Sequence, residues 1–316
     1  MESSVIYNIQ EGPYWDWKVA VDLFLGGAGV GALLFAVLLD QAFKGRYRRI
    51  CQTAAWLSPT LVIAGLLFLL FKLGRPMHLP LTYLHFAPTS PLWWGGIFQP
   101  LLILGSLWYA LKWVSAESDD PGRRRLGWAL APLALIVGGY HGLLLSVITA
   151  RPLWSTGPTV VTAILGFMAT GIAAVMLIHL LRMGLAGRLR NKEHLSTFLD
   201  DMRCVRNVLV ATLVLQIFTF FLWWLSLNFG TLEDKHALAA ANAAYGPLFW
   251  IGGIGVGAIL PLGVGGLAVW IGEASHRRLQ VSAIALTSGM ILVGGFFFRL
   301  AVVLGGQVRL PVTSLF

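Results

Sequence analysis

The chain has 316 residues, of which 57% are hydrophobic and only 12% are charged, and its mean hydropathy is +0.75. Because a soluble domain carries about 25% charged residues, this composition excludes an ordinary soluble protein and predicts an integral membrane protein. The net charge of +9 suggests a nucleic-acid-binding protein, but the basic residues follow membrane topology. Nucleic acid is therefore not an expected partner.

Eight segments approach or exceed the roughly 20 apolar residues that cross a bilayer as a helix. They are residues 19–39, 52–72, 92–115, 127–149, 160–182, 204–228, 247–272 and 281–305. The first segment follows no basic region of the kind that begins a cleaved signal peptide, so we expect it to be retained. The predicted fold class is an all-α membrane protein with eight transmembrane helices.

Basic residues alternate between the connections on the two sides of the membrane. Sixteen lie at 40–50, 112–126, 182–206 and 273–279, whereas six lie on the other side. The positive-inside rule then places both termini outside, with an outer arm at 1–18 and an outer tail at 306–316. We expect a bacterial cytoplasmic membrane, with the chemically varied loops facing the periplasm.

An internal repeat divides the chain into two halves. Pro91–Gly96 opens the third segment and resembles Pro247–Gly253 at the start of the seventh, and Val137–Tyr140 resembles Val293–Phe296 at the same offset. Equivalent segments are separated by an even number of spans, so the halves share one orientation. We predict two four-helix bundles, 19–150 and 160–305, joined by an outer connection at 151–159.

The stretch from Leu73 to Gly96 contains four prolines between two apolar segments, so no unbroken helix passes through it. A loop of this length between membrane helices is seldom a simple connection. We expect it to cover a site in the first half and to bind a partner protein on the outer face. The expected partner-binding residues are His78, His85, Thr89, Ser90 and Trp93. The segment Asn228–Gly246 is predicted to be a second outer loop.

Asp22 lies inside the first span, where an acidic group is a functional candidate by default. Gly26 and Gly29 follow on the same helix face, which predicts a slot beneath the carboxyl group. In the alternative interpretation, Asp22 pairs with Lys72 and the glycines allow close helix packing.

Tyr140 lies deep in the fourth span and needs a hydrogen-bond partner there. Its equivalent in the second half is Phe296, so the hydroxyl group occurs only in the first half. This asymmetry predicts a polar site that is confined to the first bundle. Alternatively, Tyr140 is a packed residue bonded to a backbone carbonyl.

Histidine is the usual axial ligand of haem, but His141 lies in the outer half of its span and His179 near the inner end. One haem cannot join them, and no Cys-x-x-Cys-His, Walker or spaced metal-ligand motif occurs. We therefore expect no haem, iron–sulfur cluster or metal in this chain. Arg299 and Gln307 are expected to anchor the second half by bonding carbonyl groups, and Cys51 and Cys204 to be buried reduced thiols.

Several motifs resemble the NrfD/polysulfide reductase membrane subunit family. They are WDWKVAVDLFLGGAGVG from Trp15, LGRP at 73–76, PTSPLWWG at 88–95, the Tyr140 region with RPLW at 151–154, and the ending RLAVVLGGQ. The resemblance covers nearly the whole chain. It implies a quinone-reactive membrane anchor with two four-helix bundles, which binds a four-cluster iron–sulfur subunit and, through it, a catalytic subunit that often contains molybdopterin.

The resemblance also implies where a quinone binds. In the polysulfide reductase member, the head group lies in the first bundle near the outer face, beside a tyrosine matching Tyr140 and a histidine matching Asp22. This chain departs from that pattern at Asp22, and at Val19, where asparagine is expected. We expect menaquinone or ubiquinone to be the substrate, with Tyr140 donating a hydrogen bond and Asp22 relaying a proton. The full expected contact set is Asp22, Gly26, Arg75, Tyr140 and His141.

Two other functions are compatible with the sequence. A secondary transporter would bind its substrate near the midplane between parallel repeats. A purely structural anchor would have no quinone site. Measuring the quinone bound to the purified protein separates both from the quinone-reactive function.

Overall fold

The computed structural model describes residues 15–72, 86–114, 119–271 and 277–308, and these ranges contain helices joined by short connections. Eight of the helical segments are long and apolar enough to cross a membrane, so the predicted eight-helix class is confirmed. The elements are α1 (Trp17–Phe43), α2 (Arg48–Lys72), α3 (Pro91–Lys112), α4 (Pro121–Ser146), α5 (Thr159–Leu185), α6 (Lys192–Asn228), α7 (Leu232–Pro247), a π-helix (Leu248–Ile259), α8 (Leu260–Ile271) and α9 (Arg277–Gly305).

Local sequence signals explain where the helices of the first half begin and end. The Asp16 carboxylate caps α1 by accepting a hydrogen bond from the Lys18 amide, and Asp120 caps α4 in the same way. Pro91 and Pro121 occupy the first turns of α3 and α4, where a missing amide proton costs nothing. After α1, Lys44 and Gly45 adopt positive φ angles of 47° and 80°, which permits the short turn into α2.

The prediction that Asn228–Gly246 is an outer loop is wrong, because most of this segment forms α7. The side chain of Thr231 accepts from the Asp234 amide, while the Asp234 carboxylate accepts from the Thr231 amide, which completes a capping box. The following run is rich in alanine, the best helix former. These signals outweigh the low hydropathy on which the loop prediction depended.

The sixth span also begins earlier than predicted. α6 starts at Lys192 and has 37 residues, or roughly 55 Å at 1.5 Å per residue, whereas a bilayer core is only about 30 Å thick. The Asn191 side chain caps its first turn. The charged segment at 192–203 is therefore a helical extension beyond the apolar span and not a loop.

The first helix is the centre of the packing. The helices α1 to α4 contact one another in sequence and α4 returns to α1, while α5, α6, the π-helix and α9 pack around one another in the second half. The two halves meet where α1 contacts α5 and α9. The backbones of α1 and α5 touch directly, since a methyl group at Gly31 would overlap the carbonyl of Phe167. The parallel relation of the halves and the outward termini stay predictions.

Large apolar side chains cover the outside of the helices. Leu67, Phe71, Leu104 and Trp108 are all about half exposed or more. A soluble monomer rarely exposes apolar surface on this scale, whereas a lipid-facing surface requires it. The protein is therefore an integral, multi-pass membrane protein.

Candidate functional site

Asp22 is buried between α1 and α2, with only 3% of its surface exposed. Its Oδ1 atom has no hydrogen-bond partner in the described part of the chain. Gly65 of α2 lies directly against it, because a Cβ atom there would be 3.0 Å from Oδ1. Lys72 does not compensate the carboxyl group, since its ammonium group binds Asp16 at 3.2 Å. The alternative interpretation, in which Asp22 pairs with Lys72, is therefore wrong.

Gly26 separates Asp22 from His141 of α4, and the packing around it is tight. A Cβ atom at Gly26 would be 3.3 Å from His141 Nε2 and 3.8 Å from Asp22 Oδ1, and a Cβ atom at Gly65 would be 2.9 Å from the Gly26 nitrogen. His141 is 1% exposed, and neither of its ring nitrogens has a hydrogen-bond partner among the described residues. An acid and an imidazole thus lie on either side of Gly26 with unused hydrogen-bonding capacity, which is uncommon for buried polar groups.

The predicted slot does not continue to Gly29. A methyl group there would lie 2.7 Å from Val62 and 2.8 Å from the Ser58 carbonyl oxygen, so this glycine serves close packing of α1 on α2. The prediction of a continuous slot along the glycines beneath Asp22 is therefore wrong. Gly26 is closely packed as well, since a methyl group there would lie 3.3 Å from His141 Nε2.

Tyr140 is buried between α4 and α3, where it occupies the room left by a glycine. A methyl group at Gly95 would overlap the phenol ring and its hydroxyl group. This contact explains the glycine that follows Trp93 and Trp94 in PTSPLWWG. The rings of Tyr140 and His141 have centroids 5.7 Å apart, so neighbouring residues of α4 present a phenol to α3 and an imidazole to α1.

Asp22 and Tyr140 lie at similar depths. Asp22 is five residues from the start of α1 and Tyr140 is six from the end of α4, which corresponds to roughly 8 and 9 Å of helix. In an alternating eight-helix arrangement those two helix ends are on the same side of the membrane. Asp22 and Tyr140 thus lie at similar depths, His141 follows Tyr140 on α4, and Gly26 lies about one turn deeper on α1, while their union in one quinone site stays a prediction.

The predicted partner-binding loop is described only from Phe86 onward, so Arg75, His78 and His85 lie outside the described residues. Thr89 is exposed and Ser90 is half-buried. Trp93 packs edge-to-face on Phe86 and on Trp94, with ring centroids 5.1 and 5.0 Å apart. Trp94 Nε1 donates to the Pro88 carbonyl at 2.9 Å. An aromatic cluster therefore closes the end of the loop against α3.

Three of the motifs noted in the sequence meet in what we call the outer clasp, formed by Trp15, Arg151, Trp154 and Gln307. The side-chain amide of Gln307 makes two hydrogen bonds with the backbone of Trp15. Its oxygen accepts from the Trp15 N–H group at 2.9 Å, and its nitrogen donates to the Trp15 carbonyl oxygen at 2.8 Å. Arg151 donates to the Gln307 carbonyl at 3.1 Å, and the rings of Trp15 and Trp154 stack at 5.2 Å. The clasp ties the start of α1 to the end of α9, so these motifs are structural.

The second half also contains buried polar groups, and the confinement of the quinone site to the first bundle stays a prediction. Arg299 donates to the Gly295 carbonyl at 2.7 Å and to the Thr170 hydroxyl at 3.2 Å. Gln307 similarly donates to the Val303 carbonyl at 2.8 Å, so the predicted anchoring role of both residues is confirmed. A cavity of about 60 Å³ adjoins Arg299 and is lined also by residues of α1, α4, α5, α6 and the π-helix.

A third polar cluster, which we call the inner lock after the side of the membrane predicted for it, consists of Asp40, Tyr109, Trp113 and Arg123. The Arg123 guanidinium binds Asp40 through two hydrogen bonds of 2.8 and 2.9 Å, and both side chains are completely buried. Tyr109 donates to Asp40 at 3.1 Å, and the Arg123 guanidinium carbon lies 3.6 Å from the centre of the Trp113 ring. Sequence analysis treated Arg123 as a loop charge and missed Asp40.

His179 belongs to yet another cluster, near the inner end of α5. Its Nδ1 atom lies 3.3 Å from the Thr53 hydroxyl, and its ring stacks on Phe198 with centroids 5.7 Å apart. Arg182 also donates to that hydroxyl, at 2.8 Å. Across the residues that the structure describes, no three histidine, cysteine or acidic side chains gather as metal ligands would.

These features define a multi-pass membrane protein with an under-bonded acid and imidazole buried in its first four helices. Over residues 7–311 the chain matches the family described as Polysulphide reductase, NrfD. The chain belongs to this family, and the resemblance seen in its motifs is confirmed.

Relatives align along nearly the whole length of the protein. It is 28% identical to Protein NrfD of Escherichia coli, over 93% of this chain and 95% of that protein. The C chain of polysulfide reductase from Wolinella succinogenes is 25% identical, over 93% of this chain and 94% of that protein. The C subunit of selenate reductase from Mesobacillus selenatarsenatis is 21% identical, over 88% of this chain and 72% of that protein.

Proposed function

We propose that this protein exchanges electrons between the membrane quinone pool and a peripheral iron–sulfur subunit of a respiratory oxidoreductase. The observation that carries the proposal is the pair of Asp22 and His141 on either side of Gly26, where Asp22 Oδ1 and both ring nitrogens of His141 are buried without partners among the described residues. A ligand with carbonyl or hydroxyl groups, such as a quinone head group, supplies the missing hydrogen bonds. Two of the relatives are named as components of reductases, which supports the class.

In this proposal, each site residue has a separate role in quinol oxidation. Tyr140 donates a hydrogen bond to one head-group oxygen, and His141 bonds the head group from the side of α1. Asp22 passes on a proton from the quinol hydroxyl group as two electrons leave for the partner subunit. The second proton leaves separately, which balances the conversion of quinol to quinone.

We place the site toward the outer face of a bacterial cytoplasmic membrane, with both termini and the loop at 73–91 on that side. The iron–sulfur partner, expected to hold four clusters, binds there, and Thr89, Ser90 and Trp93 form part of the contact. The aromatic cluster at the start of α3 supports this placement, because it links the exposed loop end to Gly95 and hence to Tyr140. The partner connects the protein to a catalytic subunit, which we expect to contain molybdopterin.

The test uses Asp22→Asn and Tyr140→Phe in the assembled complex. Both substitutions keep the side-chain shape, so we expect assembly and artificial-donor activity to persist while quinol-linked turnover falls at least tenfold. Asp119→Asn removes an exposed acid and is the matched control. Full quinol-linked turnover in both site variants would contradict the proposal. A purified protein without bound quinone would favour a structural anchor or a transporter.

A further inference from the structure

The second half contains a buried cation without a matching anion among the described residues. Arg299 is 7% exposed, and one terminal nitrogen bonds a carbonyl group while the other bonds a hydroxyl group. Its Nε–H group is buried and has no hydrogen-bond partner within the described ranges. None of the ion pairs formed within the described ranges includes it. A guanidinium group remains charged under all ordinary conditions, so the positive charge stays in place.

Such a charge is unfavourable unless something compensates it. Aromatic faces supply part of the compensation, because the guanidinium carbon lies 4.9 Å from the centre of the Phe167 ring and 5.5 Å from that of Phe24. Arg123 in the inner lock has an aromatic face as well, yet it also has a carboxylate. Arg299 has no carboxylate of its own in the described part of the chain, so its environment is incomplete.

The cavity beside Arg299 has room for a small polar ligand. About 60 Å³ of it is open to the centre of a water-sized sphere, and one water molecule needs roughly 10–15 Å³ of such space, so several water molecules or a hydrated halide ion fit. Thr162 Oγ1 and Gln216 Oε1 border the cavity and have no hydrogen-bond partners among the described residues.

We propose that this cavity binds a small monovalent inorganic anion, such as chloride, which serves as the counter-charge of Arg299. The donors are the Arg299 Nε–H, the Thr162 hydroxyl group and the Gln216 amide, whose oxygen and nitrogen exchange places by a half-turn. The cavity is lined along α5 by residues from Thr159, in its first turn, to Thr170. His141 also lines the cavity, so the anion site adjoins the proposed quinone site, but its tests require no quinone.

Bromide scattering in the wild-type protein tests the site directly. The full-length protein is purified and crystallised with bromide in place of chloride, and anomalous data are collected at the bromine edge. The proposal requires one anomalous peak in contact with Arg299 Nε. Density for water alone in this cavity, without an anomalous peak, would overturn it.

Thermal unfolding provides a second test in solution. We expect the Tm of the wild-type protein to rise by several degrees, and to saturate, as chloride replaces gluconate at constant ionic strength. Arg299→Gln should abolish this dependence, whereas Arg299→Lys should retain it. An equal rise in Arg299→Gln would mean a general salt effect and contradict the proposal. If that variant cannot be purified, the bromide map decides.

Thr162→Val sharpens the assignment of donors. Loss of one hydroxyl donor should raise the chloride concentration at half-maximal stabilisation by roughly tenfold. The matched control is Thr60→Val, because Thr60 is an exposed residue of α2 whose hydroxyl bonds only the Trp56 carbonyl. Identical chloride dependence in Thr162→Val and Thr60→Val would remove Thr162 from the site.

Discussion

The two buried carboxyl groups on α1 differ in their hydrogen bonding. Asp40 lies in the inner lock and has hydrogen bonds from Arg123 and Tyr109, whereas Asp22, about five turns away, faces His141 across Gly26 without a hydrogen bond to Oδ1. A fully bonded buried charge fixes helices in place. An under-bonded acid adds no such restraint. We therefore infer that the Asp22 carboxyl group binds a ligand or carries a proton.

The largest expected effect comes from breaking the inner lock. Arg123→Gln leaves Asp40 buried without its counter-charge and should lower the free energy of unfolding by roughly 3–5 kcal/mol. Chemical or thermal unfolding of the purified protein measures the loss. Arg124→Gln is the control, because its contact with Asp119 at 3.4 Å is solvent-exposed and contributes about 1 kcal/mol or less. Similar losses in both variants would mean that the inner lock is not a stabilising unit.

A smaller effect is expected where Gly95 makes room for Tyr140. Gly95→Ala places a methyl group into the phenol ring, so the ring must move at a cost of roughly 1–3 kcal/mol. Quinol-linked turnover should fall together with stability. Gly157→Ala is the matched control, since a methyl group there meets nothing within 4 Å. Normal turnover in Gly95→Ala would separate Tyr140 from the proposed chemistry.

The ion pair at the outer end of α1 should contribute still less. Burial acts to raise the pKa of the Asp16 carboxyl group, but hydrogen bonds from Lys72 and the Lys18 amide outweigh burial and lower it below the usual value. A lowered pKa stabilises the folded state above the unfolded pKa of about 3.9, and this contribution is lost as the pH falls through the folded pKa. Lys72→Met should therefore cost about 0.2–1 kcal/mol at pH 7.

The difference between Lys72→Met and wild type should shrink as the pH falls below about 4. Unfolding curves at pH 7 and pH 3 measure it, and Lys18→Met, which keeps the backbone donor to Asp16, is the control. A difference that grows on acidification would contradict the assigned direction.

Asp22→Asn should have the smallest effect on stability. The substitution removes a buried carboxyl group that has no partner at Oδ1 among the described residues, so we expect a change within about 0.5 kcal/mol or a slight gain. Asp40→Asn should instead cost several kcal/mol, because Arg123 then loses its counter-charge. Parallel unfolding measurements of the two variants compare the sites directly. Equal losses would show that Asp22 is a structural residue after all.

Hydropathy and charge predicted the helices well but placed individual polar residues less well. The eight spans followed from long apolar runs, whereas α7 was missed because its signal is a capping box and alanine content. Asp22 and His141 were recognised as buried groups within spans. Asp40 and Arg123 were not, because each lies near a helix end, where a sequence cannot distinguish a solvated charge from a buried ion pair.

The remaining differences depend on contacts between distant segments. From the predicted spans, Lys72 lies at the same end of its helix pair as both Asp16 and Asp22, so a contact with either acid is compatible with the sequence. The packed structure shows that Lys72 binds Asp16. Gln216 and Thr162 gave no signal, since single polar residues in apolar spans are common. Their proximity to Arg299 arises from the packing of α5, α6 and α9.

The central position of α1 has a consequence for how the protein is made. In the most apolar 18 residues of α1, 78% of the residues are buried, compared with 22% in those of the last span, although α1 precedes that span in the chain. Until α4 is synthesised, Asp40 near the end of α1 lacks the counter-charge of Arg123, and the buried face of α1 lacks its packing partners. Stable membrane integration of this first segment therefore depends on helices that are translated later. Truncated nascent chains that end before α4 should be retained by the insertion machinery or degraded.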